Sequence, residues 1–530
     1  MKIGRLAFGL AVALSLAPLA HAEDPAPAPD DTSISLKYWV QFAKDGNAAA
    51  QYGLGYRYTK GLGVERDDAQ AVQWYRKAAA QGNVQAEYAL AYMYSNGLGV
   101  DKDLKQANTW YRKAAEQGYA DAQYAIGYSY ANGRGTDVDN EQAVGWYQKS
   151  ADQDQAQAQY ALGYMYEHGL GVREDDAIAL GWYRKAADQG RSDAQYALGY
   201  MYEKGLGTAA DQSLAIDWYR KSADQGDPQG EYALGYAYTN GRGVDQDDTQ
   251  AYSWYRKSAE QGRADAQYGL GYSFANGLGV PRDYKLALQW YRKAAEQGRA
   301  DAQYAVGYLY ANGKGVPVNN DVAVEWYRKA AAQGDAQGEY AIATMYTDGR
   351  GLPKDDAKAL EWYRKSAEQG HPDAQYALGY IYDKGHGMAP DKDKAAIWYR
   401  KAAEQGSAEG LYALGHLYYD GSGVPKDYGQ AADFFRKAAE QGNARAQYGL
   451  GSMYYSGDGV TKDIGQATKW FRKAADQGLP EAQHSLSYMA ANGESPLKSA
   501  SLENNKPTKT ASQSDTLGWI ILQILATLLP

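Results

Sequence analysis

AAQYGLGYRYTKGLGVERDDAQAVQWYRKAAAQG, running from Ala49 to Gly82, decides the fold of this chain. Its first part, AAQYGLGYRYTK (Ala49–Lys60), spaces apolar and small residues at helical intervals, and DAQAVQWYRKAAA (Asp68–Ala80) does so again. The spacing predicts two helices joined by the loop GLGVERD. Gly61 falls where the first helix must stop, because glycine takes positive φ without penalty and can turn the chain back. Asp67 stands at the N-cap position of the second helix, and Gly82 at its C-terminal stop.

The same text is rewritten along the chain. Trp74, Trp110, Trp146, Trp182, Trp218, Trp254, Trp290, Trp326, Trp362, Trp398, Phe434 and Trp470 fall 36 residues apart without one insertion or deletion. Twelve units fill residues 48–479, with a capping half-unit before them at 33–47 and a lone first helix after them at 480–493. Gly61 and Gly63 recur as glycine in every unit; Asp67 has one substitute, Asn319, and Gly82 one, Asp154.

Helical geometry places Ala71, Trp74, Tyr75 and Ala78 within an arc of about 100°, and turns Arg76 and Lys77 the other way, onto a solvated outer face. In the first helix Ala50, Gly53, Leu54, Arg57 and Tyr58 share a face. The Arg57 position is mostly apolar in later units (Met93, Met165, Met201), so that face is buried. Two helices cannot bury both faces alone and must stack on their neighbours. The expected fold is all-α, a right-handed α/α superhelical solenoid of twelve helix-loop-helix repeats with flanking half-units.

Composition agrees. Glycine (60) and tyrosine (50) far exceed ordinary usage in 530 residues while phenylalanine numbers 6, the bias that a repeated unit leaves. With no cysteine there is no disulfide framework, thiolate zinc site, cysteine nucleophile or lipoprotein acyl acceptor. The net charge of −9, or −11 without the basic Lys2 and Arg5, argues against nucleic acid or an anionic membrane as the main partner.

Those two basic residues open a secretory signal peptide at 1–22, with an apolar run Leu6–Leu19 and the cleavage site Ala20-His21-Ala22. A Pro/Ala-rich linker follows at 23–32. With no N-x-[ST] sequon in the chain, the expected location is a bacterial periplasm, or the exterior.

Leu54-Gly55-x-x-Tyr58 followed by Ala71-x-x-x-Tyr75 and Ala78 resembles the tetratricopeptide pattern. The 36-residue period and the G-x-G-V loop with its aspartate resemble the Sel-1-like repeat family specifically, over Ser33 to Gly493. The resemblance implies an extracytoplasmic or lumenal adaptor that holds partners together. Some cysteine-rich members bind or hydrolyse penicillin-type compounds, and this chain lacks their cysteines.

Tyr52, Tyr56 and Thr59 lie opposite Leu54 on the first helix, the side that in tetratricopeptide arrays lines the concave surface. The Tyr52 position is tyrosine in all twelve units, among them Tyr88, Tyr124, Tyr160 and Tyr196. The Tyr56 position is tyrosine in nine, as Tyr92, Tyr128, Tyr164, Tyr200, Tyr236, Tyr272, Tyr308 and Tyr380 besides Tyr56 itself. Tyrosine offers a rigid contact area with a polar tip, suited to peptide backbones or sugar rings. These residues are the candidate partner-binding groove. Uniformity at the Tyr52 position suits packing between helices, and variation at the Tyr56 position suits a groove. The Thr59 position varies most (Ser95, Ala131, Glu167, Asp383, Tyr419), as partner-specific contacts would.

No catalytic constellation emerges. His168, His371, His386, His416 and His484 form no metal-binding spacing. Ser495-Pro-Leu-Lys498 matches S-x-x-K but stands in a polar linker (494–515) without the companion motifs of penicillin-recognising enzymes. Acidic groups at Asp245–Asp248 and Asp137–Asn140 sit in the helix-cap register. The uncharged tail, 516–530, is about 22 Å long as a helix, short of the roughly 30 Å of a bilayer core. It suits a terminal cap, an insertion into membrane or partner, or a processed anchor signal. The reading is therefore an exported, non-enzymatic scaffold that binds extended or helical protein segments, without cofactor, metal or nucleic acid, and with membrane contact only through the tail. A polysaccharide- or peptidoglycan-binding module is the alternative, and a penicillin-recognising hydrolase a more distant one.

Overall fold

The computed structural model describes residues 36–386 and 388–493; the leader, both linkers, the apolar tail and Ser495–Lys498 lie outside the described residues. Among the described residues there are 26 helices and no strand. A half-unit, α1 (Leu36–Lys44), precedes α2 (Ala48–Lys60) and α3 (Asp68–Ala79), and this pair recurs to α25 (Ile464–Asp476) before a lone first helix, α26 (Pro480–Ala491). The chain is an all-α solenoid of paired helices that divides into two compact units, up to Val318 and from Asn319. Within each, every helix packs on the next in the chain.

Helix ends follow the local chemistry. Gly61 closes α2 at φ 70°, donating its N–H to the Arg57 carbonyl, and the Asp67 carboxylate accepts the Gln70 N–H at 2.9 Å. Asn319 caps in the same way, accepting from Val322 at 3.1 Å. The second loop glycine has a reason beyond its φ. A Cβ on Gly99 would stand 2.2 Å from the Asp68 carbonyl group, so this loop lies directly on the first turn of the preceding unit's second helix. Gly135 on Leu104 and Gly423 on Lys392 repeat the contact.

The core is built around one ring per unit. Tyr75 is 3% exposed and lies so close to α2 that a Cβ on Gly55 would be 2.7 Å from it. Gly163 with Tyr183 and Gly379 with Tyr399 reproduce the notch at 2.6 Å. The next unit's first helix closes the other side, as at Gly269, where a Cβ would stand 3.2 Å from the Tyr255 ring. Ala71, Val72 and Ala78 pack in the same buried cluster.

A buried amide ladder ties unit to unit. Gln81 Nε2 donates to Gln51 Oε1 at 2.7 Å, and Gln51 Nε2 donates to the Ala43 carbonyl of the preceding half-unit at 3.0 Å. Gln153–Gln123–Ala115 and Gln405–Gln375–Ala367 are the same chain of bonds. Each first-helix glutamine thus gives a second donor to a helix-end carbonyl, whose first is the N–H of the glycine that follows, as Gly118 on Ala115 and Gly370 on Ala367. Three units carry glutamate instead. Glu87, Glu231 and Glu339 accept from Gln117, Gln261 and Gln369 but, ionised, have nothing to donate backward. Burial pushes all three carboxyl groups above their usual range.

Two measurements test this account. Asp154 is the one non-glycine residue at positive φ among the described residues, at 61° in a position otherwise held by glycine. Asp154→Gly should raise stability by up to about 1 kcal/mol in chemical denaturation. Replacing Glu87, Glu231 and Glu339 by glutamine should add about 1 kcal/mol per site through the gained backward bond. Because those carboxyl groups hold protons more tightly folded than unfolded, the parent should lose stability as pH rises through the window above about 4.3. The triple variant should show a shallower slope, the remainder coming from Asp227 and Asp348, whose carboxyl groups burial also raises.

Candidate binding surface on the first helices

The structure separates the two tyrosine rows. Rings of the Tyr52 row are half-buried and lie against the core ring of their own unit, with centroids 5.8 Å apart for Tyr52–Tyr75, 5.6 Å for Tyr88–Tyr111, 5.7 Å for Tyr124–Tyr147, 5.4 Å for Tyr160–Tyr183 and 5.6 Å for Tyr196–Tyr219. The next unit's N-cap residue covers them: Tyr119 at 5.2 Å from Tyr88, and the Arg191 guanidinium at 5.1 Å over Tyr160. Burial pushes the Tyr196 phenol up to about 12.

The Tyr56 row reaches further out. Tyr56, Tyr92, Tyr128, Tyr164, Tyr308 and Tyr380 are half-buried, while Tyr200 and Tyr236 are each 37% and Tyr272 46% exposed. Nearly every ring carries a cation from the end of its own helix or from the loop after it. Lys60 lies 5.8 Å over Tyr56, Arg134 5.6 Å over Tyr128, Lys204 5.6 Å over Tyr200, Arg242 5.1 Å over Tyr236 and Lys314 4.8 Å over Tyr308. The His168 imidazole stacks on Tyr164 at 4.1 Å, and in the second unit Lys384 and His386 flank Tyr380 at 6.0 and 5.6 Å. Tyr92 and Tyr272 are the exceptions: asparagine ends the helix, as it does before Arg134 and Arg242, but Leu98 and Leu278 stand at the loop position that holds those cations. The signal was present in the sequence as a Lys, Arg or His placed four or six residues after the tyrosine.

The Thr59 position departs from expectation. Where it is threonine or glutamate the side chain reaches the hydroxyl of the core tyrosine, Thr59 to Tyr75 at 3.1 Å, Thr239 to Tyr255 at 3.2 Å, Glu167 to Tyr183 at 2.7 Å and Glu203 to Tyr219 at 2.8 Å, whereas Tyr419, in a repeat whose core ring is Phe435, donates to Asp458. Its variation reflects several ways of satisfying one buried phenol. Ala131 offers none, and the Tyr147 hydroxyl is buried without a hydrogen-bond partner among the described residues.

Arg76 and Lys77 are exposed as expected, but they are engaged as well as solvated. Lys77 Nζ sits 4.1 Å over Trp74, and Arg76 donates to the Tyr94 hydroxyl of the next unit at 2.8 Å. Asp247 and Asp139 cap helices, donors being the backbone N–H groups of Gln250 and Gln142. His371 also caps a helix, through Nδ1, and stacks on Tyr340 at 4.9 Å; burial lowers its pKa. Among the described residues no His, Cys, Asp and Glu cluster could hold a metal, and no helix is long and apolar enough to cross a membrane.

This chain belongs to the Sel1 repeat family: the family model, Sel1 repeat, matches residues 48–83, 84–119, 120–155, 156–190, 192–227, 228–262, 264–298, 300–335, 336–371, 372–407, 408–443 and 444–479. It is similar to the crystal structure of c5321, a protective antigen of uropathogenic Escherichia coli displaying an SLR fold. The two are 38% identical with a TM-score of 0.73, over 91% of this chain and 100% of that one. A Sel1 repeat protein from Oxalobacter formigenes is 35% identical over 60% of this chain and 95% of its own, with a TM-score of 0.47. No curated protein matches. Sel1 repeat proteins are in general protein-interaction scaffolds, and their fold is typically non-catalytic.

Ala131→Thr should supply the Tyr147 hydroxyl with the partner that Thr59 and Thr239 give theirs, raising stability by about 1 kcal/mol in thermal or urea unfolding. No gain would mean that the phenol is satisfied by water.

Proposed function

We propose that this chain is an exported, non-enzymatic scaffold that holds segments of partner proteins against the Tyr56 row. The supporting observation is the half-exposed row itself, in which Tyr200, Tyr236 and Tyr272 follow one another at 37%, 37% and 46% exposure in successive repeats. Large apolar side chains left in the open at repeating intervals are recognition surface in repeat proteins, where each unit adds a modest contact and length supplies avidity. The Tyr52 row supports this surface from beneath. Export rests on the signal peptide read at 1–22, and the periplasm is the compartment proposed.

A photo-crosslinking amino acid at Tyr236 or, as a control, at the outward-facing Arg76 position would be expressed in the native envelope and its adducts identified by mass spectrometry. A discrete protein adduct at Tyr236 only, lost when Tyr200 and Tyr272 become serine with helicity retained, is the expected result. Adducts equal at both positions would place the function elsewhere. Glycan fragments in place of protein would favour the cell-wall alternative.

A further inference from the structure

The cations over the Tyr56 row are arranged in depth. Beneath Lys204 and Arg242 lies Glu203, at 2.5 and 3.6 Å; its side chain is 15% exposed, against 42% and 48% for the two cations. Its other carboxylate oxygen accepts from the Tyr219 phenol, which fixes the acid in the floor. Glu167 under His168 is placed likewise, at 20% against 44%. In the second unit Asp383 is 12% exposed beneath Lys384 at 49% and Lys392 at 43%. At Lys204, Arg242, Lys384 and Lys392 an approaching group therefore meets a cation before the acid. One carboxylate under two cations leaves net positive charge at the surface, in a chain whose total is −9.

A basic side chain or imidazole stands over the tyrosine in four successive repeats, at Arg134, His168, Lys204 and Arg242, although Ala131 takes the place of the floor acid in the Arg134 repeat. First helices of neighbouring repeats stand about 10 Å apart by the ordinary spacing of packed helices, and an extended chain advances about 3.3 Å per residue. One repeat thus corresponds to about three residues of an extended ligand.

Resting on the scaffold reading above, we infer that the tyrosine–cation row at residues 128–242 binds an extended acidic segment of a partner protein. Carboxylates about six and then three residues apart meet Arg134, Lys204 and Arg242, with the His168 repeat spanned between the first two, while the residues between them lie on Tyr200 and Tyr236. A phenol edge beside each cation adds a donor that a carboxylate can accept. Charge complementarity, with the chain's own acids held in the floor, selects an acidic segment over a basic one.

The test uses the mature chain and three labelled twelve-residue peptides, (Glu-Leu-Gly)4, (Gln-Leu-Gly)4 and (Lys-Leu-Gly)4, followed by fluorescence anisotropy at low and high salt. The glutamate peptide should bind at least about tenfold more tightly than the glutamine peptide, and the difference should shrink as salt rises. The double variant R134Q/R242Q, with unchanged circular dichroism, should lose that preference. Because the peptide comparison uses the unaltered chain, a misfolded variant cannot rescue or sink the assignment. Equal or tighter binding of the glutamine or lysine peptide overturns the acidic specificity; if serine at Tyr200 and Tyr236 abolishes that binding, the scaffold reading stands without it. No binding by any peptide also overturns the assignment, and the crosslinking result then decides the scaffold reading separately.

Discussion

Everything in this solenoid depends on a ring pressed onto a backbone. The Tyr75 side chain lies where a side chain on Gly55 would be, a notch kept by glycine in all repeats but those of Ala91 and Ala343, and the next first helix closes over its far side. That contact sets how near the helices of a repeat approach and where the following repeat begins. The remaining ties act at the ends of the same helices. The second loop glycine rests on the preceding unit's backbone, and the glutamine ladder carries a bond from the end of one unit into the start of the next. A ring held so closely buries its hydroxyl, and in several repeats the residue one turn beyond the notch answers it with threonine, serine or glutamate.

The packing code was legible in the sequence because each element of it uses a residue type with little freedom. Glycine at a helix stop, aspartate at a cap and tyrosine opposite a small residue each have one ready structural meaning. Pairing between elements was harder to read. The glutamine ladder joins residues 30 positions apart, and glutamine on a helix face looks like solvated surface until its partner is placed. Variation at the Thr59 position resembled the signature of a partner-contact residue. It is the trace of a buried requirement met by different chemistries.

On the candidate surface, sequence periodicity located the tyrosines and helical geometry put them on one side. The depth at which each sits came only from packing. The Tyr52 row is held between the core ring and the next unit's N-cap residue, whereas the Tyr56 row, one turn later, clears them. The cations over this second row form no motif in the ordinary sense, since their spacing from the tyrosine is not constant, whereas the acids under them, Glu167, Glu203 and Asp383, each follow their tyrosine by three residues.

That inconstancy has a consequence for how such surfaces change. A cation reaches the ring either from the last residue of the helix, as Lys60 and Lys204 do, or across the glycine turn from the loop, as Arg134 and Arg242 do. Two sequence positions therefore serve a single point in space. A lineage can lose the charge from one and regain it at the other without disturbing the fold. Compared column by column, both positions would look only half conserved, although the pair taken together is kept in most repeats.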